Sequence, residues 1–136
     1  VVRGRPEPDS KLVERVARTA TTLPDAYEEE AWTGVRWRVR RRTFAHVLVL
    51  TPHHVEEYAP GTVVEPAPAV VFRSAGEELL ALSSAGPPYL RPPWAPGVVA
   101  LLLDDATDWD EVAELVTESY RVMAPQVLVR RLDGRR

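Results

Sequence analysis

Leu12, Val13, Val16, Ala17 and Ala20 return at helical spacing behind a polar lead in which Asp9 or Ser10 can cap. This predicts a first helix over residues 10–21, stopped ahead of Pro24. The period then changes to two. Residues 27–32 and 35–40 read as strands joined through Thr33-Gly34, a pair suited to a tight hairpin. Along the second strand Val35, Trp37 and Val39 share one face, and Arg36, Arg38 and Arg40 share the other. A two-residue turn at Thr33-Gly34 would set Glu29 across from Arg38. After a turn at Arg40-Arg41-Arg42, residues 43–50 are apolar on both faces, the pattern of a central strand, with His46 expected on the face of Phe44 and Leu48. The first three strands form a meander.

Residues 51–66, with Pro52, Pro60, Gly61 and Pro66, hold no sustained period and read as a long surface loop. Residues 69–73 resume the sheet. Ser74-Ala75-Gly76-Glu77 has capping-box spacing, which predicts a helix carrying Leu79, Leu80 and Leu82 and ending near Gly86-Pro87. The proline-rich stretch 87–97 displays Tyr89 and Trp94, expected as a lid over the sheet edge. Residues 98–103 give the fifth strand. Asp108-Trp109-Asp110-Glu111 is a second capping box opening a helix whose apolar face is Trp109, Val112, Ala113, Val116, Tyr120 and Met123, with Trp109 expected to be buried. Pro125 suits the start of a last short helix through Leu132, with Gly134 after it. The order is α-β-β-β-β-α-β-α-α, without the regular alternation that a parallel sheet requires. It predicts an α+β fold: an antiparallel five-stranded sheet with helices packed mainly on one face.

Length and charge narrow the function classes. With 136 residues, no internal repeat and 13 scattered prolines, the chain reads as a single domain over 1–136, with a flexible lead over residues 1–8. Hydrophobic residues make up 45% and charged residues 27%, too apolar a balance for a disordered chain. The absence of cysteine excludes disulfides, a thiol nucleophile and cysteine-ligated metal, and points to a reducing compartment. No apolar run is long enough to span a bilayer, and the start Val1-Val2-Arg3-Gly4-Arg5-Pro6 lacks a secretory core, so the expectation is a cytoplasmic protein without membrane contact. A net charge of −3 means that any affinity for phosphate must come from a local patch. Among the basic residues Lys11 is the sole lysine, so planar, bidentate guanidinium chemistry dominates. A monomer is the default for a domain without an apolar seam.

The runs Trp32-Thr33-Gly34-Val35-Arg36-Trp37-Arg38-Val39-Arg40, Thr43-Phe44-Ala45-His46-Val47, Val71-Phe72-Arg73-Ser74, Asp108-Trp109-Asp110-Glu111-Val112-Ala113-Glu114-Leu115-Val116-Thr117-Glu118-Ser119-Tyr120 and Ala124-Pro125 closely resemble the MmcQ/YjbR family of small bacterial proteins. The likeness runs from the first helix to the last, leaving out 51–66. It implies a CyaY-like or secretion-chaperone-like domain with a curved antiparallel sheet. It also carries that family's common DNA-binding label, itself a fold-level analogy to a double-wing arrangement.

Arg36, Arg38, Arg40, Arg41 and Arg42 place five positive charges and no negative one in seven residues, and could straddle phosphates, with Trp37 or Trp32 as a stacking surface if exposed. The competing account is a solvated face in which the arginines balance Asp25, Glu28, Glu29 and Glu30 just upstream. His53-His54-Val55-Glu56-Glu57 has metal-ligand residue types without a third or fourth ligand at a recognisable spacing, so no metal and no cofactor is expected. His46 is expected as a hydrogen-bonded, largely buried histidine. Glu111, Glu114 and Glu118 form one stripe, and Arg73 could pair with Glu114 or Glu118. With no nucleophile motif, phosphate loop or metal cluster, catalysis is not expected. The chain reads as a non-enzymatic binding protein, for DNA through the arginine hairpin. The rival is a protein-interaction or chaperone-like adaptor, or a small-ligand binder, using the sheet face and its aromatics, in which Tyr89, Trp94 and Trp37 would line a groove.

Overall fold

The computed structural model describes residues 6–135, so most of the lead expected to be flexible lies outside the described residues. Within it, Glu7 is tied down: its carboxylate accepts the Gly34 N–H at 3.0 Å. Helix α1 (Ser10–Ala20) begins at Asp9, whose side chain accepts the Lys11 N–H at 2.9 Å. Strands β1 (Tyr27–Glu30), β2 (Val35–Val39) and β3 (Arg42–Leu50) form the meander. A four-residue helix α2 (Pro52–Val55) follows, then β4 (Ala67–Arg73), α3 (Gly76–Ala85), β5 (Tyr89–Leu90), β6 (Val98–Leu102), α4 (Trp109–Met123) and α5 (Gln126–Asp133).

The sheet is antiparallel in the order β1-β2-β3-β4-β6-β5, an α+β architecture. It has six strands where five were expected, because Tyr89 and Leu90, in the proline-rich stretch, pair with Leu101 and Ala100. As its apolar character on both faces predicts, β3 lies inside the sheet, between β2 and β4.

One face carries the main core. Val16 and Ala20 of α1, Val112, Leu115, Val116 and Tyr120 of α4, and Leu128 of α5 close over Trp37, Val39, Phe44, Ala45, Val47, Val70, Phe72, Val99 and Leu101. Strict alternation would send Phe44 and Ala45 to opposite faces. They share this core because Trp37 pairs with Ala45 and Arg38 with Thr43, which leaves Phe44 as the extra residue of a β-bulge. The bulge turns the Phe44 ring into an edge-to-face contact with Tyr120, 5.4 Å between centroids. Ser119 of α4 takes up the polar atoms this exposes: its hydroxyl donates to the Phe44 carbonyl at 2.6 Å and accepts the Arg73 N–H at 2.8 Å. His46 consequently lies on the face opposite Phe44.

The second face is covered by the segment expected to be a mere surface loop. Val55 and Val63 are 1% and 4% exposed and pack on Leu48, Leu50, Ala69, Leu90 and Ala100. A strand apolar on both faces needs cover on both, and 51–66 supplies it over part of this face.

Helix starts divide between agreement and correction. Asp108 caps α4, accepting the N–H groups of Asp110 (3.0 Å) and Glu111 (3.2 Å). Asp108→Ala is therefore expected to lower stability by about 1 kcal/mol, read as a shift in the denaturation midpoint. Trp109 is only part-buried, at the margin of the core, with the Arg15 guanidinium 4.7 Å over its ring. The capping box at Ser74 is not formed. Ser74 is held at the end of the sheet by its N–H to the Gly97 carbonyl (2.8 Å), so α3 starts at Gly76 and the Ser74 hydroxyl donates to Glu78 instead.

Candidate nucleic-acid interface

Val39 pairs with Arg42, so β2 and β3 are joined by a two-residue turn whose central residues are Arg40 and Arg41. Both have positive φ, 48° and 68°. This is the I′ arrangement that suits the twist of a hairpin and that Asn-Gly normally supplies. Two arginines hold it at a conformational cost, since their Cβ atoms crowd the backbone in the left-handed region. Replacing them together, Arg40→Asn with Arg41→Gly, is expected to raise stability by about 1–2 kcal/mol, measured by denaturant titration.

The five arginines do not act as one set. Arg36 and Arg38 converge on Glu29: Arg36 Nε donates to its carboxylate at 2.6 Å and Arg38 Nη1 at 3.2 Å. Glu29 pairs in register with Arg36, not with Arg38, because the β1–β2 loop takes in four residues and is closed by the Ala31 N–H on the Gly34 carbonyl (3.0 Å). The Arg36 hydrogen bond, supported by Arg38, holds the Glu29 carboxyl below its usual range. Arg38 also donates to the Arg41 carbonyl, which braces the turn from below.

Arg40 takes a different partner. It donates to Asp25 at 3.0 Å, and Arg131 of α5 reaches the other carboxylate oxygen at 3.3 Å. Asp25 has φ 57°, a third strained position at this end of the sheet. The Arg40 hydrogen bond first, then the charge of Arg131, keeps its carboxyl below the ordinary value. Arg135 is anchored alongside by donating to the Thr22 carbonyl at 2.5 Å. The fold thus brings Arg40 and Arg131 onto one carboxylate, with Arg135 held on Thr22 and with Arg41 and Arg42 exposed in the turn and after it, engaged in no ion pair among the described residues. Sequence reasoning missed Arg131 and Arg135, which lie some ninety residues from the hairpin; the signal available was a basic last turn on α5.

Trp37 is not part of this surface. Its ring is 0% exposed, and its Nε1–H donates to Glu28 at 2.9 Å. Side chains at Val35, Trp37 and Val39 face the helices, so a stacking role for Trp37 is excluded by burial. Trp32 is 76% exposed, but it stands in the β1–β2 loop, at the opposite end of β2 from the arginine turn.

The remaining candidates take structural partners. His46 Nε2 lies 2.7 Å from the Thr33 carbonyl, which can only accept, so that nitrogen carries the proton. Burial holds His46 below its usual pKa and leaves it neutral at pH 7. His54 closes a capping box with Thr51 at the start of α2. Among the described residues no group of three or more His, Asp or Glu converges as a metal site would require. Arg73 does not meet Glu114 or Glu118; its Nη1 donates to the Pro96 carbonyl at 3.3 Å, and Glu118 pairs with Arg121 at 3.1 Å. No helix among the described residues is long and apolar enough to cross a membrane.

A family model described as YjbR matches residues 21–122. That span holds the whole sheet, the arginine turn and α4 up to its last residue, and ends before α5. Among curated proteins nothing matches the chain.

Proposed function

The chain belongs to the YjbR family, and on that footing we propose that it is a non-enzymatic protein that grips the phosphate backbone of duplex DNA at the β2–β3 turn. The observation that carries this reading is that Arg40 and Arg131 share the single carboxylate of Asp25, with Arg135 anchored nearby on the Thr22 carbonyl and Arg41 and Arg42 exposed beside them. Of these five guanidiniums Asp25 pairs with two, which leaves a locally positive surface on a chain of net charge −3. Guanidinium planes suit bidentate phosphate contact. A strained turn retained in place of an unstrained one supports a role for its side chains other than closing the hairpin.

The contact is with the backbone rather than the bases. Trp37 is buried and Trp32 is at the other end of the hairpin, so the tip has no indole on which a single-stranded base could stack. Arg36 and Arg38, which share the Glu29 carboxylate within the strand, shape the hairpin and do less of the binding. The protein works as a monomer in the cytoplasm, a compartment that a chain without cysteine suits.

Titration of labelled mixed-sequence duplex and single-stranded DNA at two salt concentrations tests this. The expected result is binding that weakens steeply with salt and favours duplex. No binding to duplex at low salt overturns the proposal.

A further inference from the structure

The 51–66 segment covers only part of the second sheet face. The part it leaves open, over β2, β3, β4 and β6, is a groove of about 260 Å³ lined by Arg36, Thr43, His46, Val71, Arg73 and Val98, with Trp94 and Ala95 as one wall. Its chemistry is uneven in a way that specifies an occupant. Val71 and Val98 provide an apolar floor, and Trp94, 49% exposed, presents an indole beside it. Thr43 adds a hydroxyl and His46 a neutral ring. No carboxylate lines the groove. The acids that reach its residues from outside are engaged: Glu29 by Arg36 and Arg38, and Glu7 by the Gly34 N–H. Arg73 donates to a carbonyl, Pro96, which satisfies one N–H but leaves its charge unbalanced.

We propose that this groove is a binding site for a small aromatic carboxylate, its ring against Trp94 and its carboxylate on the Arg73 guanidinium. The volume lies just below the roughly 300 Å³ at which pockets for larger ligands begin, which selects a molecule of one or two rings. A planar ring uses the indole and the valine floor. A single anionic group meets Arg73, of the two guanidiniums lining the groove the one without an acid partner among the described residues, in the fork geometry Arg offers a carboxylate. The site is independent of the DNA reading: it lies on the sheet face, and of the arginines expected to touch phosphate it includes only Arg36, which Glu29 already holds.

Benzoate and 2-naphthoate serve as probes, with benzamide and 2-naphthamide as uncharged counterparts. Binding is followed through the Trp94 indole N–H in ¹H–¹⁵N spectra of the full chain. The expected result is a saturable shift with each carboxylate and affinity for each amide at least about tenfold weaker, since a charge-assisted pair is lost. Arg73→Met should remove the preference for the acid. Because Arg73 also braces the Pro96 loop, Trp94→Leu provides a second variant at an exposed position; followed at the Thr43 and Val98 amides, it should weaken the acids and the amides alike. Equal affinity for acid and amide, an undiminished preference in a folded Arg73→Met protein, or no shift with millimolar carboxylate each overturns the proposal.

Discussion

Gly34→Ala is expected to destabilise the domain by roughly 3–5 kcal/mol, far more than a typical loop substitution. Gly34 has φ +70°, and a Cβ built on it would lie 2.9 Å from the Val47 carbonyl carbon and 3.1 Å from the Leu48 Cα, with the carbonyl oxygen nearer still. These are backbone atoms of an interior strand. Val47 is paired with Val35 on one side and Val70 on the other, so it cannot retreat without breaking the ladder. Gly76→Ala provides the comparison: its φ is +60°, with nothing within 4 Å of the added carbon, so only the left-handed backbone is penalised, at about 1 kcal/mol. Denaturant midpoints of the two variants separate crowding from backbone strain. Equal losses would contradict the close approach of the β1–β2 loop to β3.

The same loop shows where the sequence pattern stops. Hydrophobic period located α1, β2, β3, β6 and α4, because each buries one clear stripe or both faces. Thr33-Gly34 announced a turn, but a glycine signal does not say how many residues the loop takes in, and the partner of Glu29 moved by two residues, from Arg38 to Arg36. Alternation along β3 placed Phe44 and His46 on one face, whereas the bulge separates them; period-two reasoning assumes one residue opposite one, and nothing local in the sequence marks Phe44 as the extra residue. Strand β5 was not legible because two residues carry no period. At 51–66 the apolar residues that matter, Val55 and Val63, are too sparse to show a pattern, although the two-sided apolar character of β3 required a cover.

Replacing Arg41 and Arg42 together by Ala is expected to weaken binding to every duplex tested and to flatten the dependence of log K on log salt by about 1.8, at about 0.9 per lost phosphate contact. Both side chains are exposed and engaged in no ion pair among the described residues, so their charge is available to a phosphate. The effect on stability should stay within about ±0.5 kcal/mol, because neither side chain packs on the core, and circular dichroism verifies the fold. Arg36→Ala with Arg38→Ala should change the slope much less, since both guanidiniums are held by Glu29. An equal effect of the two double changes would show that the hairpin face acts as one undivided charge.

Of the candidate interface, the arginine run itself was legible, and so was the competing account that nearby acids balance it. The acid-balanced account holds for part of the run: Glu29 takes the two arginines within β2, Asp25 takes the first arginine of the turn, and the last two remain exposed. That division depends on register and on which side chains reach the same carboxylate, and neither is encoded in local spacing. The contribution of α5 needs the tertiary fold, since Arg131 meets Asp25 only after the chain has crossed the whole sheet. Trp37 was misplaced by its neighbours' charge: an indole between arginines resembles a stacking platform, yet the alternation that exposes Arg36 and Arg38 buries it.

Asp25 allows the most direct test, because it is the internal anion that an incoming phosphate would have to displace. Asp25→Asn removes the charge and keeps a side chain that tolerates positive φ, so the turn geometry is retained. The measurement is the slope of log K against log salt for duplex binding, wild type beside Asp25→Asn. If Arg40 and Arg131 contact phosphate, the variant binds more tightly and its slope steepens, by up to about 1.8 for the two guanidiniums released. A slope equal to or shallower than that of the wild type would contradict the account and leave the cluster as a structural ion pair.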